Sequence, residues 1–362
     1  MAYTTIDNPE LYFQVKIYTG DGNDDRALTF DGEENMQPDM CWFKERNSTS
    51  SHALYDAVRG VNKDLRPDTD AAEATDAELD ALESFDSNGF TISDDGKLNQ
   101  SASETYVAWC WKAGAGSGSS NTDGSTNTTS TSVDTTVGFS ISTYTGTGST
   151  TTIGHGLGAV PGLAIFKARS AVRPWMLYHK GNTSAPETEY LLMNTNDNTT
   201  DNDNFTNDVA PTSTVFTIDT FNEVNTDSAT YVAYMWLEKQ GYSRFGSYTG
   251  NGDANGTFVY TGLRAAWVMI KETSASGDDW YIFDNKRDGF NGILNTSGNR
   301  NLRANQNQAE TGTDENRIDI LSNGFKVRDG GGQINGDGVT YIYTTFAEQP
   351  FVNSNGVPAN AR

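Results

Sequence analysis

The chain has little of what most catalytic or cross-linked proteins depend on. Only two cysteines, Cys41 and Cys110, occur in 362 residues, which excludes a disulfide framework. They read as two reduced thiols buried in strands, with a single bridge between neighbouring strands as the alternative. The three histidines, His52, His155 and His179, are few for any His-based site and read as structural or surface residues. No nucleophile elbow, Walker, Rossmann or HExxH pattern is present. No apolar run approaches the roughly 20 residues of a membrane span, so no membrane insertion is expected. The opening MAYTTIDNPELYFQV lacks the basic and apolar regions of a signal peptide, which predicts synthesis and assembly in a cytoplasm. Positive charge is scarce: 25 Lys and Arg face 48 Asp and Glu, for a formal net charge of -23. Nucleic-acid partners are therefore excluded, because phosphate binding relies on clustered basic residues, and a solvated, self-repelling acidic surface is expected.

That abundance of carboxylates removes their information. Close pairs such as Asp24 and Asp25 arise by chance, and an acid/base dyad needs one member in an apolar pocket that no stretch here supplies. The chain reads as a non-enzyme.

What is present is periodic. Apolar residues make up 35% and aromatics 11%, with Gly, Thr, Asn, Asp and Ser filling much of the rest, a mixture that favours many short strands with generous turns. YTGDG at Tyr18, YTGTG at Tyr144 and YTGNG at Tyr248 each precede an apolar run ending in lysine: PDMCWFK to Lys44, PGLAIFK to Lys167, AAWVMIK to Lys271. A segment closed by glycine follows (LYDAVRG, WMLYHKG, WYIFDNKRDG), then NGFTIS, TVFTID or NGFKVR, and finally TYVAWCWKAG, TYVAYMWLEK or TYIYTTFAEQ. Once the Gly/Ser/Thr stretch 113–136 is set aside as a flexible linker, the units are about 100 residues long, the size of a small β-sandwich.

The runs MCWFK, LAIFK, WVMIK, YVAWCW and YVAYMW are apolar at consecutive positions and predict central strands covered on both faces. Phe90 and Ile92, Phe216 and Ile218, and Phe325 and Val327 alternate with polar neighbours and predict strands with one wet face. TDAAEATDAELDALES, Thr69 to Ser84, has helix formers and a possible Thr75/Glu78 capping box, so a short surface helix is expected in the first unit. The predicted fold is all-β, three tandem jelly-roll-like β-sandwiches. The boundaries are an N-terminal docking segment 1–16, repeats at 17–112, 137–241 and 242–351, the linker 113–136, and a tail 352–362.

Aromatics are the strongest candidates for ligand contact. Three residues before each YTG tyrosine stands an apolar residue, Val15, Ile141 or Phe245, which puts the tyrosine on the opposite strand face. Tyr144 and Tyr248, with Trp175 and Trp280 ahead of the second block, form a candidate sugar-stacking platform; His52 holds the matching place in the first unit, and packing is the alternative for all of them. Asn251, Asp253 and Asn255 in NGDANG match the first half of a calcium loop, but the twelfth position is Gly262 rather than a bidentate Glu. No other cofactor is expected. Lys44, Arg46, Lys167, Arg169 and Lys271 are expected to pair with carboxylates such as Asp56 or Asp284.

The combination TTIDNPELYFQ, YTG, HGLGAVPGLAIFKAR, LYDAVRG, SNGFTIS and TYVAWCWKAG resembles a repeated β-domain of marine tailed-bacteriophage virion structural proteins, of the tail-fibre or appendage kind. The third copy departs most, lacking the Pro before its apolar run and the closing Trp. The resemblance implies a virion component assembled in the host cytoplasm, contacting other virion proteins through the N-terminal segment and serving host attachment, with no catalytic residue. A host-surface glycan is the ligand to expect, and a homo-oligomer, a trimer favoured, is the expected assembly. Capsid decoration as a cement or head-fibre protein is one alternative reading. A carbohydrate-binding module or glycan-degrading tailspike is the other.

Overall fold

The structure is a computed structural model that describes residues 3–75, 81–287, 291, 300–310, 317–331 and 333–360. The first unit contains β1 (Phe13–Thr19), β2 (Arg26–Leu28), β3 (Met40–Glu45), β4 (Ala53–Asp56), β5 (Lys63–Asp64), β6 (Ala74–Thr75), β7 (Leu82–Asp86), β8 (Gly89–Ile92) and β9 (Thr105–Trp111). The second contains β10 (Ser130–Asp134), β11 (Phe139–Thr145), β12 (Thr151–Gly154), β13 (Leu163–Ala168), β14 (Met176–His179), β15 (Glu189–Leu192), β16 (Thr200–Asp201), β17 (Val215–Ile218), the one-turn helix α1 (Asn222–Asn225) and β18 (Thr230–Trp236). The third contains β19 (Ser243–Thr249), β20 (Phe258–Tyr260), β21 (Leu263–Glu272), β22 (Tyr281–Asp284), β23 (Leu302–Arg303), β24 (Ile318–Leu321), β25 (Gly324–Val327) and β26 (Thr340–Pro350).

The fold is all-β, built from antiparallel sheets, and one strand order recurs. The large sheets run β1-β9-β3-β4, then β11-β18-β13-β14 inside a longer sheet, then β19-β26-β21-β22. A smaller sheet covers one face of each: β2-β8-β7, β12-β17 and β20-β25-β24. Matching registers pair Tyr18 with Tyr106, Tyr144 with Tyr231 and Tyr248 with Tyr341. Cys41 and Cys110 face each other across β3 and β9 as free, buried thiols.

The consecutive apolar runs follow from what covers each face. On β9, Ala108 and Cys110 point into the first unit's own sandwich, whereas Val107, Trp109 and Trp111 point the other way into a core common to all three units. On β18, Ala233 and Met235 face the second sandwich while Val232, Tyr234 and Trp236 face the common core. On β26 the corresponding sets are Tyr343 and Ala347 against Ile342 and Phe346. All seven tryptophans of the chain lie in this common core, none more than 3% exposed. Each buried indole takes about 200 Å² out of water, on the order of 5 kcal/mol at about 25 cal/mol/Å². The three sandwiches therefore share one interior.

Residues 113–136, expected to be a flexible linker, are ordered. Asp39 accepts backbone N–H bonds from Ala113 (2.7 Å), Ala115 (3.1 Å) and Gly116 (2.8 Å), and β10 adds to the edge of β11. Ser and Thr hydroxyls that suggested a solvated spacer bond to neighbouring strands instead. The N-terminal residues lie where the second unit passes into the third: Thr4 Oγ1 donates to Gln240 O, Tyr3 OH to Gly262 O, and Ile6 is buried in the common core. Of the expected helix over Thr69–Ser84, residues 76–80 lie outside the described residues, and the flanks carry strands β6 and β7.

Trp111 touches rings from every unit: Phe13 of its own, Trp236 of the second, Trp267 and Phe346 of the third. Calorimetry is expected to show one unfolding transition, and Trp111→Ala is expected to move that whole transition by about 3–5 kcal/mol. Separate transitions, with only one of them shifted, would contradict a shared interior.

Candidate functional site

Each YTG tyrosine lies at the end of the equivalent strand of its large sheet, β1, β11 or β19. The offset from Val15, Ile141 and Phe245 does turn it to the opposite face, but that face is the inside of the sandwich. Tyr18, Tyr144 and Tyr248 are 8%, 1% and 7% exposed, so the expected tyrosine platform is corrected: these rings cannot reach a sugar. They stack on Tyr106, Tyr231 and Tyr341 at centroid distances of 5.2, 5.2 and 5.1 Å. Their hydroxyls donate to the carbonyls of Leu98 (2.8 Å), Val224 (2.8 Å) and Ile334 (2.6 Å). Burial pushes all three phenols well above their ordinary value.

The next residues along those chains are Asn99, Asn225 and Asn335, all fully buried, and their side chains plug the Gly-rich turns. Asn335 accepts from Asn251 N–H (3.1 Å) and donates to Asn251 Oδ1 (2.9 Å) and to the carbonyls of Asp253 (2.9 Å) and Asp329 (2.6 Å). Asn251 Oδ1 also accepts from Asp253 N–H, and Asp253 Oδ1 from Asn255 N–H. The oxygens of the partial calcium loop are thus turned toward an amide and backbone N–H groups. Among the described residues no group of three or more His, Cys, Asp or Glu is placed to hold a metal ion. The glycines complete the motif. A Cβ at Gly146 would stand 2.2 Å from Thr226 O, and Gly148 has φ +68, which favours glycine. The plugging asparagines were missed in sequence, although an aliphatic-Asn pair follows each tyrosine at 80, 80 and 86 residues.

Trp175 and Trp280 are 0% and 1% exposed, which corrects the second half of the platform. With His52 they form one recurring contact across the seams between units. Trp175 Nε1 donates to Arg66 O (3.0 Å) and Thr69 O (3.1 Å) of the first unit, Trp280 Nε1 to Leu192 O (3.0 Å) of the second, and His52 Nε2 to Arg303 O (3.1 Å) and Gln306 O (3.0 Å) of the third. The contacts run around a closed ring.

Buried charge reinforces two of the three seams. Asp56 bonds Arg59 and accepts from Tyr234 OH of the second unit (2.6 Å), while Glu73 bridges Arg59 and Arg169. Asp284 bonds Arg287 and accepts from Trp109 Nε1 of the first unit (2.9 Å), while Glu310 bridges Arg287 and Arg46. Burial alone would raise the Asp284 carboxyl, but the adjacent Arg287 guanidinium holds it below the ordinary value. The seam between the second and third units has no such Asp-Arg pair among the described residues: His179 Nε2 donates to Tyr343 O (3.1 Å), Thr199 N–H donates to Thr273 O (3.1 Å), and its ion pair, Arg244 with Glu238 (3.5 Å), is half exposed on the arginine side. The expectation that the strand-end lysines pair with Asp56 or Asp284 is corrected. The Lys44, Lys167 and Lys271 ammoniums are buried and donate to backbone carbonyls, and burial lowers Lys44 and Lys167 to about 8.

Two exposed aromatic rings lie on β20, one of them beside Tyr3 and Phe351. Phe258 and Tyr260 are 46% and 54% exposed, with Phe351 packed edge-on against Tyr260 and Tyr3. Nearby, a groove of about 430 Å³ is lined by Asp7, Glu10, Glu33, Glu348, Pro350 and Asn353, among others.

The fold and these contacts define an all-β protein of three interlocked sandwiches whose repeated motif residues are buried framework. The chain belongs to the DUF7483 family, a domain of unknown function, whose profile matches residues 8–350 and so spans all three units at once. No curated protein matches the sequence.

Tyr144→Phe leaves the buried Val224 carbonyl without its donor and is expected to cost about 1–3 kcal/mol in denaturant unfolding; an unchanged midpoint would contradict the latch. Acid sensitivity follows from the histidines. His52 Nδ1 accepts from Trp42 Nε1 and His179 Nδ1 from Gly181 N–H, so each ring is held neutral. Burial depresses them to about 3 and about 4 from an unfolded value of about 6.5. Their contribution is complete above pH about 6.5 and is lost as pH falls toward the folded values, because the unfolded chain binds protons first. Asp278, raised to about 7 by burial and by sharing a hydrogen bond with Glu272, acts in the opposite sense. The test is therefore a difference: between pH 7 and 5, wild type should lose more stability in urea than the His52→Gln/His179→Gln variant, by roughly 2 kcal/mol per histidine.

Proposed function

We propose that the chain is a non-enzymatic structural component of a bacteriophage virion, an appendage or tail-fibre protein serving host attachment. The observation that carries this reading is how the motif residues are used. The tyrosines, tryptophans, glycines and Asp-Arg pairs behind the resemblance to phage virion domains are all engaged in closing three sandwiches around one core. Such a body suits a rigid, projecting part: its recurring contacts are internal, and its acidic exterior stays solvated.

The N-terminal segment and the exposed aromatics lie at the same end of the molecule, which supports that end as the side that meets other virion proteins. The three seams already close within one chain, so a homo-oligomer, a trimer included, uses the outer surface instead. A second reading, binding of a host-surface glycan, is favoured by the groove near Tyr260 and Phe351. Its carboxylates and amides can accept sugar hydroxyls beside an aromatic face.

Peptide mass spectrometry of purified particles, with labelling of the chain on the intact virion, tests the reading. The expected result is a fixed copy number at an outward position on the tail. Recovery only from the soluble lysate would overturn it, and density on the head would favour capsid decoration.

A further inference from the structure

The small sheets of the second and third units differ at one edge. In β12, residue 153 faces Phe216 and His155 N–H donates to Thr214 O, so the alternation of an antiparallel pair turns the N–H and C=O of Thr152 away from the sheet. Both are taken by residues of the 113–136 segment. Thr152 N–H donates to Ser125 Oγ (3.0 Å), Thr126 N–H donates to Thr152 O (3.0 Å), and Thr126 bridges Ile153 in the parallel sense. The fit is close: a Cβ on Gly124 would stand 2.3 Å from Thr152 O.

β20 repeats that geometry without a cover. Val327 N–H donates to Thr257 O (3.0 Å) and Thr261 N–H to Asn323 O (3.0 Å), so the backbone groups of Phe258 and Tyr260 point outward. β20 ends its sheet, and no strand among the described residues pairs with that edge. Where the covered edge has Thr152 and Gly154, this one has Phe258 and Tyr260, about half exposed. The matching residues of the first unit are the small Ala27 and Thr29.

We propose that the β20 edge is a docking strand that takes an extended segment of another virion polypeptide, run alongside it as Ser125 and Thr126 run along β12. Main-chain hydrogen bonds hold the incoming segment, and Phe258 and Tyr260 select apolar side chains on it. The formal charge of -23 on each chain opposes a second copy at this edge and favours a neutral or basic segment of a different chain. The inference rests on the virion reading for the identity of the partner.

Hydrogen exchange on the full chain, free and in purified particles, tests it. The Thr152 amide should be protected in both states, and the Phe258 and Tyr260 amides should exchange rapidly in the free chain and slowly in particles. Phe258→Lys, which places a charge on the edge, should leave the melting temperature unchanged yet lower incorporation on the order of tenfold, whereas Ala27→Lys should incorporate like wild type. Rapid exchange at Phe258 and Tyr260 in particles that contain the wild-type chain would overturn the docking edge alone. So would concentration-dependent protection in the free chain, which would make a second copy the occupant. Absence of the wild-type chain from particles would overturn the virion reading and this inference together.

Discussion

Burial of both faces of the three large sheets is the constraint on which the remaining structure depends. One face is covered by the unit's own small sheet and the other by the two neighbouring units, so none of the large sheets is complete alone. Removing a unit would expose indoles on the other two, at a cost on the order of several kcal/mol per ring. Individual sandwiches are therefore poor candidates for independent domains, which accords with a family match that runs unbroken from residue 8 to 350.

Polar groups then fix how the units meet. The Asp-Arg-Glu-Arg chains at two seams hold charge in places that are nearly dry, where a lone carboxylate or guanidinium would be costly. Each member meets an opposite charge or a buried donor, as Asp56 meets Arg59 and Tyr234. The third seam relies on His179 and threonines. Its geometry resembles that of the others, but its dependence on protonation does not.

Much of the secondary structure was legible because it is local. Consecutive apolar residues in MCWFK and YVAWCW correctly indicated strands covered on both sides, and each YTG stands at the same place in its unit, the end of β1, β11 or β19. What covered those strands was not legible. Trp175 finds its acceptors 109 and 106 residues earlier in the chain, beyond any periodicity argument, so a seam tryptophan and an exposed platform look alike in sequence. The same limit misplaced Tyr144 and Tyr248: the offset of three gave the face, and only the tertiary structure reveals that neither face is wet. Composition misled at 113–136, where Ser and Thr hydroxyls satisfy strand edges rather than water.

The seam between the first and third units joins Arg46 to Glu310, 264 positions apart, and Trp109 to Asp284, 175 apart. A growing chain cannot make these contacts until residues 284 and 310 have been added, and loop closure over such separations slows folding. Until then the indoles of the first unit have no complete shelter and are liable to meet those of another chain. Once β26 is in place the third unit closes the ring, and Tyr3 and Thr4 bond Gly262 and Gln240 beside it. Because unfolding must part all three seams together, the durability of such a ring is a matter of rate as much as of equilibrium.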